Sequence, residues 1–225
     1  MDQDIFFISF NESNQEINWA RVLELHPDAV RLHGIKGIDR VHLACNDLCS
    51  TENFWTVDGD NWLLEELIWD VDMPADLLLF NALDPLSGLP TNLGGVKLWK
   101  KDSIINKDMS KGDFCLNATA KKMSLRKVFS RTDYNNTPYE AWKTAFRHCV
   151  KLLSPIFKAR PNLNYADAYL EQWRSCGVLD NGINNARWAY QGYLDAVKYV
   201  EDTANNIHNI NNYQWLKNYF DDQHN

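Results

Sequence analysis

The stretch FWTVDGDNW, Phe54 to Trp62, decides how the chain is read. An apolar run with strand character ends on two aspartates, Asp58 and Asp60, one glycine apart. Carboxylates held that close repel each other unless a positive charge sits between them or water screens both. Three uses fit the pair: a solvated turn, a nucleophile with its acid/base partner, or a seat for a divalent cation that carries a phosphorylated ligand. A strand ending in Asp at the carboxyl edge of a parallel sheet lies where open α/β sheets bind ligands. The glycine lets the chain bend so that both side chains can aim at one point. A calcium EF-hand is excluded, because its sixth loop position must be Gly and here is Leu63, and a helix rather than a strand would come first.

Working outward, the first hundred residues alternate between short apolar runs and helical spacing, the pattern of a mostly parallel sheet. IFFISF (5–10) reads as the first strand, AVRLHG (29–34) as the second and FWTVD (54–58) as the third. Between them, Ser13 with Glu16 forms a capping-box signature, followed by Ile17, Ala20 and Leu23 at helical spacing. Ile38, Val41, Ala44 and Leu48 mark a second helix, on which Cys45 and Cys49 share a face. WLLEELIW (62–69) is predicted as a helix, and LLLF (77–80) and VKLW (96–99) as two further strands, the latter introduced by Gly94-Gly95. After residue 135 the pattern turns helical. Thr137, Pro138 and Glu140 supply N-cap, N1 and N3 of a helix with Trp142, Ala145, Phe146, Cys149, Val150 and Leu153 on its apolar side. Helices are also expected over YADAYLEQWRSC, over about 184–203 and over NNYQWLKNYF. The chain therefore reads as one α/β domain, 1–225, with an α/β part (1–134) and a helical C-terminal part (135–225).

With 225 residues, 45% of them hydrophobic and nine of them Trp, the chain can bury a substantial core. The apolar run in MDQDIFFISF is too short for a signal peptide or a membrane span. Five cysteines without a CxxC pair suit reduced thiols in a cytoplasm. The net charge of −7 is unevenly spread. Residues 1–96 hold 17 acidic and 4 basic residues, a net of −13; residues 97–131 hold 10 basic and 3 acidic, a net of +7. A basic block inside an acidic protein is what a local anion-binding surface requires.

DIFFISFNESNQEINWARVL, AVRLHGIKGIDRVH and FWTVDGDN, in that order, resemble a small group of phage-associated glycosyltransferases of the GT-A type. GGVKLW, NNTPYEAWKTAFRHCVKL, LEQWRSCG and INNYQWLKNYF resemble later motifs of the same group, so the likeness spans most of the chain. The chain departs from the pattern at His148, where an acidic residue is expected. The resemblance implies a GT-A-like (Rossmann-like) mixed, mostly parallel sheet with helices on both faces. It implies metal-dependent transfer of arabinose or glucose from a UDP-sugar to 5-hydroxymethylcytosine in DNA, with Mn²⁺ or Mg²⁺ as cofactor, in the cytoplasm of a phage-infected bacterium.

In that frame Asp58 holds the ribose or a water of the metal, and Asp60 the metal itself. The end of the first strand, Ser9, Phe10, Asn11 and Glu12, faces the nucleoside. Arg31, His33 and Lys36 contact base or phosphate, and Gly94 and Gly95 let backbone approach donor or acceptor. Lys97, with Arg147 and Lys151 four apart on one helix face, offsets diphosphate charge. An inverting reaction needs a carboxylate base, for which Asp113 is the first candidate and Asp133 the second. Two rival classes remain open: a haloacid-dehalogenase-like phosphotransferase, which wants Thr or Val where this chain has Trp62, and a non-catalytic DNA- or nucleotide-binding module.

Overall fold

The computed structural model describes residues 3–92, 94–104, 114–154, 163–180, 182, 184–202 and 206–224. They fall into two compact units, Met1–Asp133 and Tyr134–Asn225.

The first unit is built on one sheet. Its strands are β1 (Asp4–Ser9), β2 (Val30–His33), β3 (Asn53–Asp58), β4 (Asn61–Leu63), β5 (Leu77–Leu83), β6 (Pro90–Thr91), β7 (Val96–Lys100) and β8 (Lys122–Thr132). They lie in the order β2-β1-β3-β7-β5-β8-β4, with β6 paired to β5. β1 runs parallel to both β2 and β3, and β5 parallel to β8. β7 is antiparallel to its neighbours β3 and β5, and β4 is antiparallel to β8. Most strands thus share one direction, with β4, β6 and β7 against it: a GT-A-like, Rossmann-like mixed α/β architecture.

Helix α1 (Gln15–Leu25) packs on one face and α2 (Ile38–Leu48) on the other. Adjacent residues of the same strand therefore enter different cores. Phe7, Trp55 and Leu78 join Val22 of α1, whereas Phe6, Phe54 and Leu77 join Val41 and Cys45 of α2. This double burial is why these strands read as continuous apolar runs rather than alternating ones. Trp55 and Trp99 are fully buried, and truncating either to Ala would cost about 3–5 kcal/mol. Cys45 and Cys49 are both buried, as their shared face predicted, and burial pushes the Cys45 thiol far up.

Three local expectations are corrected. α1 begins at Gln15 after Asn14, and Asn14 makes no side-chain cap bond. Glu16, expected as the reciprocal cap, is turned to Arg31, which donates to both its carboxylate oxygens at 2.8 and 2.6 Å. Ile17 and Leu23 are exposed, and the helix buries Asn18 and Val22 instead. The segment 62–69 is not a helix: Asn61–Leu63 is a short strand, and Leu63 and Leu67 enter the core while Leu64 and Ile68 face outward. Tertiary packing has overridden helical propensity there.

β8 is an eleven-residue strand that the sequence reading did not anticipate. β5 pairs with it from Lys122 to Arg131 on one side, and among the described residues β4 pairs with it on the other side from Ser130 to Thr132. Lys121, Lys122, Arg126 and Lys127 are exposed along that stretch.

The second unit is helical: α4 (Pro138–Leu153), α5 (Leu163–Ser175), α6 (Ala186–Glu201), a 3₁₀ turn (Ile207–Asn211) and α7 (Tyr213–His224), the four-residue α3 (Phe114–Asn117) belonging to the first unit. α4 starts as predicted. The Thr137 hydroxyl accepts from Glu140 N–H and donates to its carboxylate, with Pro138 in the first turn, a cap worth about 1 kcal/mol. Trp142, Ala145, Phe146, Cys149 and Val150 are buried along its inner face. Among the described residues no helix is long and apolar enough to cross a membrane.

Candidate active site at the Asp-Gly-Asp turn

β3 ends on Asp58, and a two-residue turn, Gly59-Asp60, leads directly into β4. The turn sits beside the end of β1, because Ile8 is in register with Asp58 and Ser9 with His33 on the far side. Ser9 to Glu12 and Asp58 to Asp60 therefore share one sheet edge.

Gly59 lets Glu12 and the end of β1 come close to the turn. A Cβ there would lie 2.7 Å from Glu12 Oε2 and 3.1 Å from the Ile8 carbonyl. Glu12 reaches this position by accepting from Phe10 N–H at 2.7 Å. Glu12 thus stands against the backbone between Asp58 and Asp60, and the cation paired with Asp58 is Lys97. Its ammonium donates to Asp58 Oδ2 at 2.7 Å and to the Gly95 carbonyl at 3.2 Å, and the residue is only 5% exposed. The other oxygen of Asp58, Oδ1, is shielded from solvent and accepts no hydrogen bond. A buried carboxylate oxygen left without a donor is costly, and a cation is the natural way to offset that cost.

Asn61 organises the turn from beneath. Its Oδ1 accepts from Gly95 N–H (3.1 Å), Ser130 Oγ (2.8 Å) and Thr132 Oγ1 (3.2 Å), while its amide donates to Asp60 Oδ1 at 2.8 Å. Gly95 closes over this group: a Cβ there would stand 2.3 Å from Asn61 Nδ2 and 2.7 Å from Asp58 Cβ. Gly95 therefore packs against the aspartate turn. From the helix side, Asn18 donates to the Gly59 carbonyl at 2.9 Å. Asp133 N–H donates to the Asp60 carbonyl at 2.7 Å. The backbone of the turn is thus fixed from α1, β7 and β8. Asn61, Asn18, Ser130 and Thr132 were not singled out from sequence; the one usable signal was Asn61, a poor strand former placed directly after the aspartates.

The other expected residues divide by place. Arg31 donates from Nε to Ser9 Oγ at 2.9 Å, and its terminal nitrogens hold Glu16. That pairing raises the Arg31 guanidinium and lowers Glu16 from their ordinary values, so the Arg31 charge is already matched. Ser9 is buried and shares its hydroxyl with His33 Nδ1 at 3.0 Å. Phe10, 40% exposed, and Asn11 stand open at the end of β1, and Lys36 is exposed after β2. Arg147 and Lys151 belong to the second unit, where Arg147 donates to the Ile210 carbonyl at 2.7 Å and lies over the Tyr213 ring. His148 accepts there from Trp173 Nε1 at 3.0 Å. Asp113 lies outside the described residues. Asp133 has its carboxylate on Arg131, and hydrogen bonding to this partner raises the Arg131 guanidinium against the opposing effect of burial. Among the described residues of the basic block, Lys97 and Arg131 are therefore committed to aspartates, while Lys100 of β7 and Lys121, Lys122, Arg126 and Lys127 at β8 are exposed.

Among the described residues no three His, Cys, Asp or Glu side chains are gathered as a metal cage. A cation here would rest on one or two carboxylates, Asp58 Oδ1 and Asp60, with the remaining ligands from phosphate oxygens and water, a division that suits Mg²⁺ or Mn²⁺.

No protein-family model matches the chain, and no curated protein matches it. One matching solved structure is a glycosyltransferase involved in glycosylation of the major capsid of PBCV-1, at 18% identity and a TM-score of 0.31. The match covers 44% of this chain and 61% of that one, and at that TM-score it decides nothing about residues or chemistry.

Proposed function

We propose that the protein is a metal-dependent glycosyltransferase that moves a sugar, arabinose or glucose, from a UDP-sugar to 5-hydroxymethylcytosine in phage DNA. The observation that carries the transferase reading is the Asp58–Asp60 turn at the strand ends, with a buried carboxylate oxygen that has no donor. A bound Mn²⁺ or Mg²⁺ would neutralise charge developing on the departing diphosphate. Asp58 and Asp60 would hold it. Lys97 fixes the Asp58 rotamer, and Asn61 with Asp133 N–H fixes Asp60, so the two carboxylates are positioned before the donor arrives. The exposed ring of Phe10 and the amide of Asn11 offer a face and polar groups to the nucleoside. In the reaction, the bond from the sugar's anomeric carbon to the diphosphate breaks and one to the acceptor's hydroxymethyl oxygen forms. UDP leaves with the bonding electron pair, and the hydroxyl proton passes to a base. Asp133 is the described candidate for that base, and its ion pair with Arg131 keeps it oriented.

The DNA acceptor rests on the resemblance, with support from Lys121, Lys122, Arg126 and Lys127 along β8. The test is a transfer assay with a panel of UDP-sugars plus Mn²⁺, on hydroxymethylated and unmodified duplexes. Transfer only to the hydroxymethylated duplex is expected. Hydrolysis of phosphate esters without sugar transfer would return Asp58 to the nucleophile reading.

A further inference from the structure

The carboxyl ends of β1 and β2 carry a hydrogen-bond chain in which each donor can act in only one direction. Glu16 accepts from both terminal nitrogens of Arg31, at 2.8 and 2.6 Å. Arg31 Nε, which can only donate, turns its proton to Ser9 Oγ at 2.9 Å. Ser9 is 3% exposed, so its own hydroxyl proton needs an acceptor within the protein. Among the described residues that acceptor is His33 Nδ1, at 3.0 Å. The opposite assignment, Nδ1–H donating to Oγ, would strand a buried hydroxyl proton. Nδ1 is therefore bare, and the ring proton sits on Nε2. His33 is exposed, and among the described residues its Nε2 makes no hydrogen bond. The chain thus presents one N–H donor of fixed identity at the sheet edge that also carries the aspartate turn.

Register places this donor relative to the turn. Ser9 lies beside His33 and Ile8 beside Asp58, so two strand spacings, about 10 Å, separate His33 from the end of β3. That is the span from a diphosphate across one ribose to its base. An uncharged N–H suits a carbonyl oxygen of the base, whereas the diphosphate calls for a cation.

We propose that His33 selects the nucleobase of the donor: its Nε2–H pairs with a ring carbonyl and so favours uridine over cytidine nucleotides. Uracil shows an acceptor oxygen where cytosine shows its N4 amino group, a donor. A fixed donor on the protein meets the first and opposes the second. Ser9 is the positioning residue, since it sets the tautomer from behind the ring. This role rests on the transferase reading for the presence of a nucleotide, and adds to it the group that chooses the base.

Two measurements on the full chain test it. Long-range ¹H–¹⁵N spectra without nucleotide, at about pH 8, above the ordinary histidine range, should show His33 with a bare Nδ1 and a protonated Nε2. Ser9→Ala should show a mixture of the two tautomers. Calorimetric titration with UDP and with CDP, in Mn²⁺, should give the wild type about a tenfold preference for UDP. In His33→Leu, whose side chain is exposed and whose fold is not at stake, the preference should fall to about twofold, chiefly by weaker UDP binding. Asp60→Asn should weaken both nucleotides alike and keep their ratio. A protonated Nδ1 in the wild type, a preference for CDP, or a UDP preference retained by His33→Leu overturns the role of His33 and leaves the transferase reading standing. Binding of neither nucleotide removes both.

Discussion

Two carboxylates, one in each unit, show how differently the chain treats a buried charge. Asp195 in the helical unit is surrounded by donors: Trp142 and His224 on one oxygen, Gln191 on the other. Asp58 in the α/β unit has Lys97 on Oδ2 and nothing on Oδ1. A fully satisfied carboxylate ties helices together, since α4, α6 and α7 each send a group to Asp195. A half-satisfied one keeps an unmet demand, and natural chains retain such demands mainly where a ligand meets them. The difference lies in polar completeness as well as burial, since the Asp58 side chain is 33% exposed and that of Asp195 15%.

The comparison breaks first at Asp60. Asp60→Asn should lower UDP-sugar transfer at least about 100-fold, or about 2.7 kcal/mol of barrier, while the urea midpoint stays put. Full turnover by this variant, or by the wild type in excess chelator, would remove the metal assignment. Asp195→Asn should do the reverse. It sets an amide N–H against existing donors and should cost about 2 kcal/mol in urea unfolding followed by tryptophan fluorescence. Its response to Mn²⁺ should remain that of the wild type. That response is the third test: at ten times its dissociation constant Mn²⁺ should add about 1.4 kcal/mol of stability to the wild type, and none to Asp58→Asn. A shift retained by Asp58→Asn would mean the open oxygen is no ligand.

The smallest effect belongs to His26, whose Nε2 accepts from Leu67 N–H at 2.9 Å. Burial lowers its pKa below the ordinary value, with Glu66 pulling slightly the other way. The unfolded chain thus binds the proton more readily, so this contribution is whole above about pH 6.5 and declines as pH falls toward the folded value. Thermal midpoints between pH 7 and 5 should drop more for the wild type than for His26→Gln. Identical profiles would show that the Leu67 amide can do without its acceptor.

Much of this was legible in the sequence. β1, β2, β3, β5 and β7 stood out as apolar runs, α4 announced itself through Thr137-Pro138, and the aspartate pair fell at the end of the third strand as read. Beyond the 62–69 segment, where packing overrode helical propensity, what failed involved polar residues with distant partners. Asn18 is buried on the helix face that periodicity gave to Ile17, because the Gly59 carbonyl lies opposite it. β8 escaped notice because KMSLRKV is mostly polar and gains its strand character from β5. Asn61 and Ser130 are sixty-nine positions apart, and no local pattern announces that one oxygen will serve both β7 and β8. Glu16 looked like a cap until Arg31, fifteen residues on, claimed it.

Among the described residues the first part of β8 is paired on one side only, and this bears on how the protein behaves in bulk solution. An open strand edge is a template on which another copy can add by main-chain pairing. Lys121, Lys122, Arg126 and Lys127 make two such edges repel. That defence is electrostatic and weakens as the screening length shrinks from about 10 Å at 0.1 M salt to about 3 Å at 1 M. High salt should therefore favour self-association. Sedimentation velocity across that range, on the wild type and on Lys122→Gln/Lys127→Gln, would register it as dimers that the variant forms at lower ionic strength. A monomer indifferent to both changes would show the edge to be covered already.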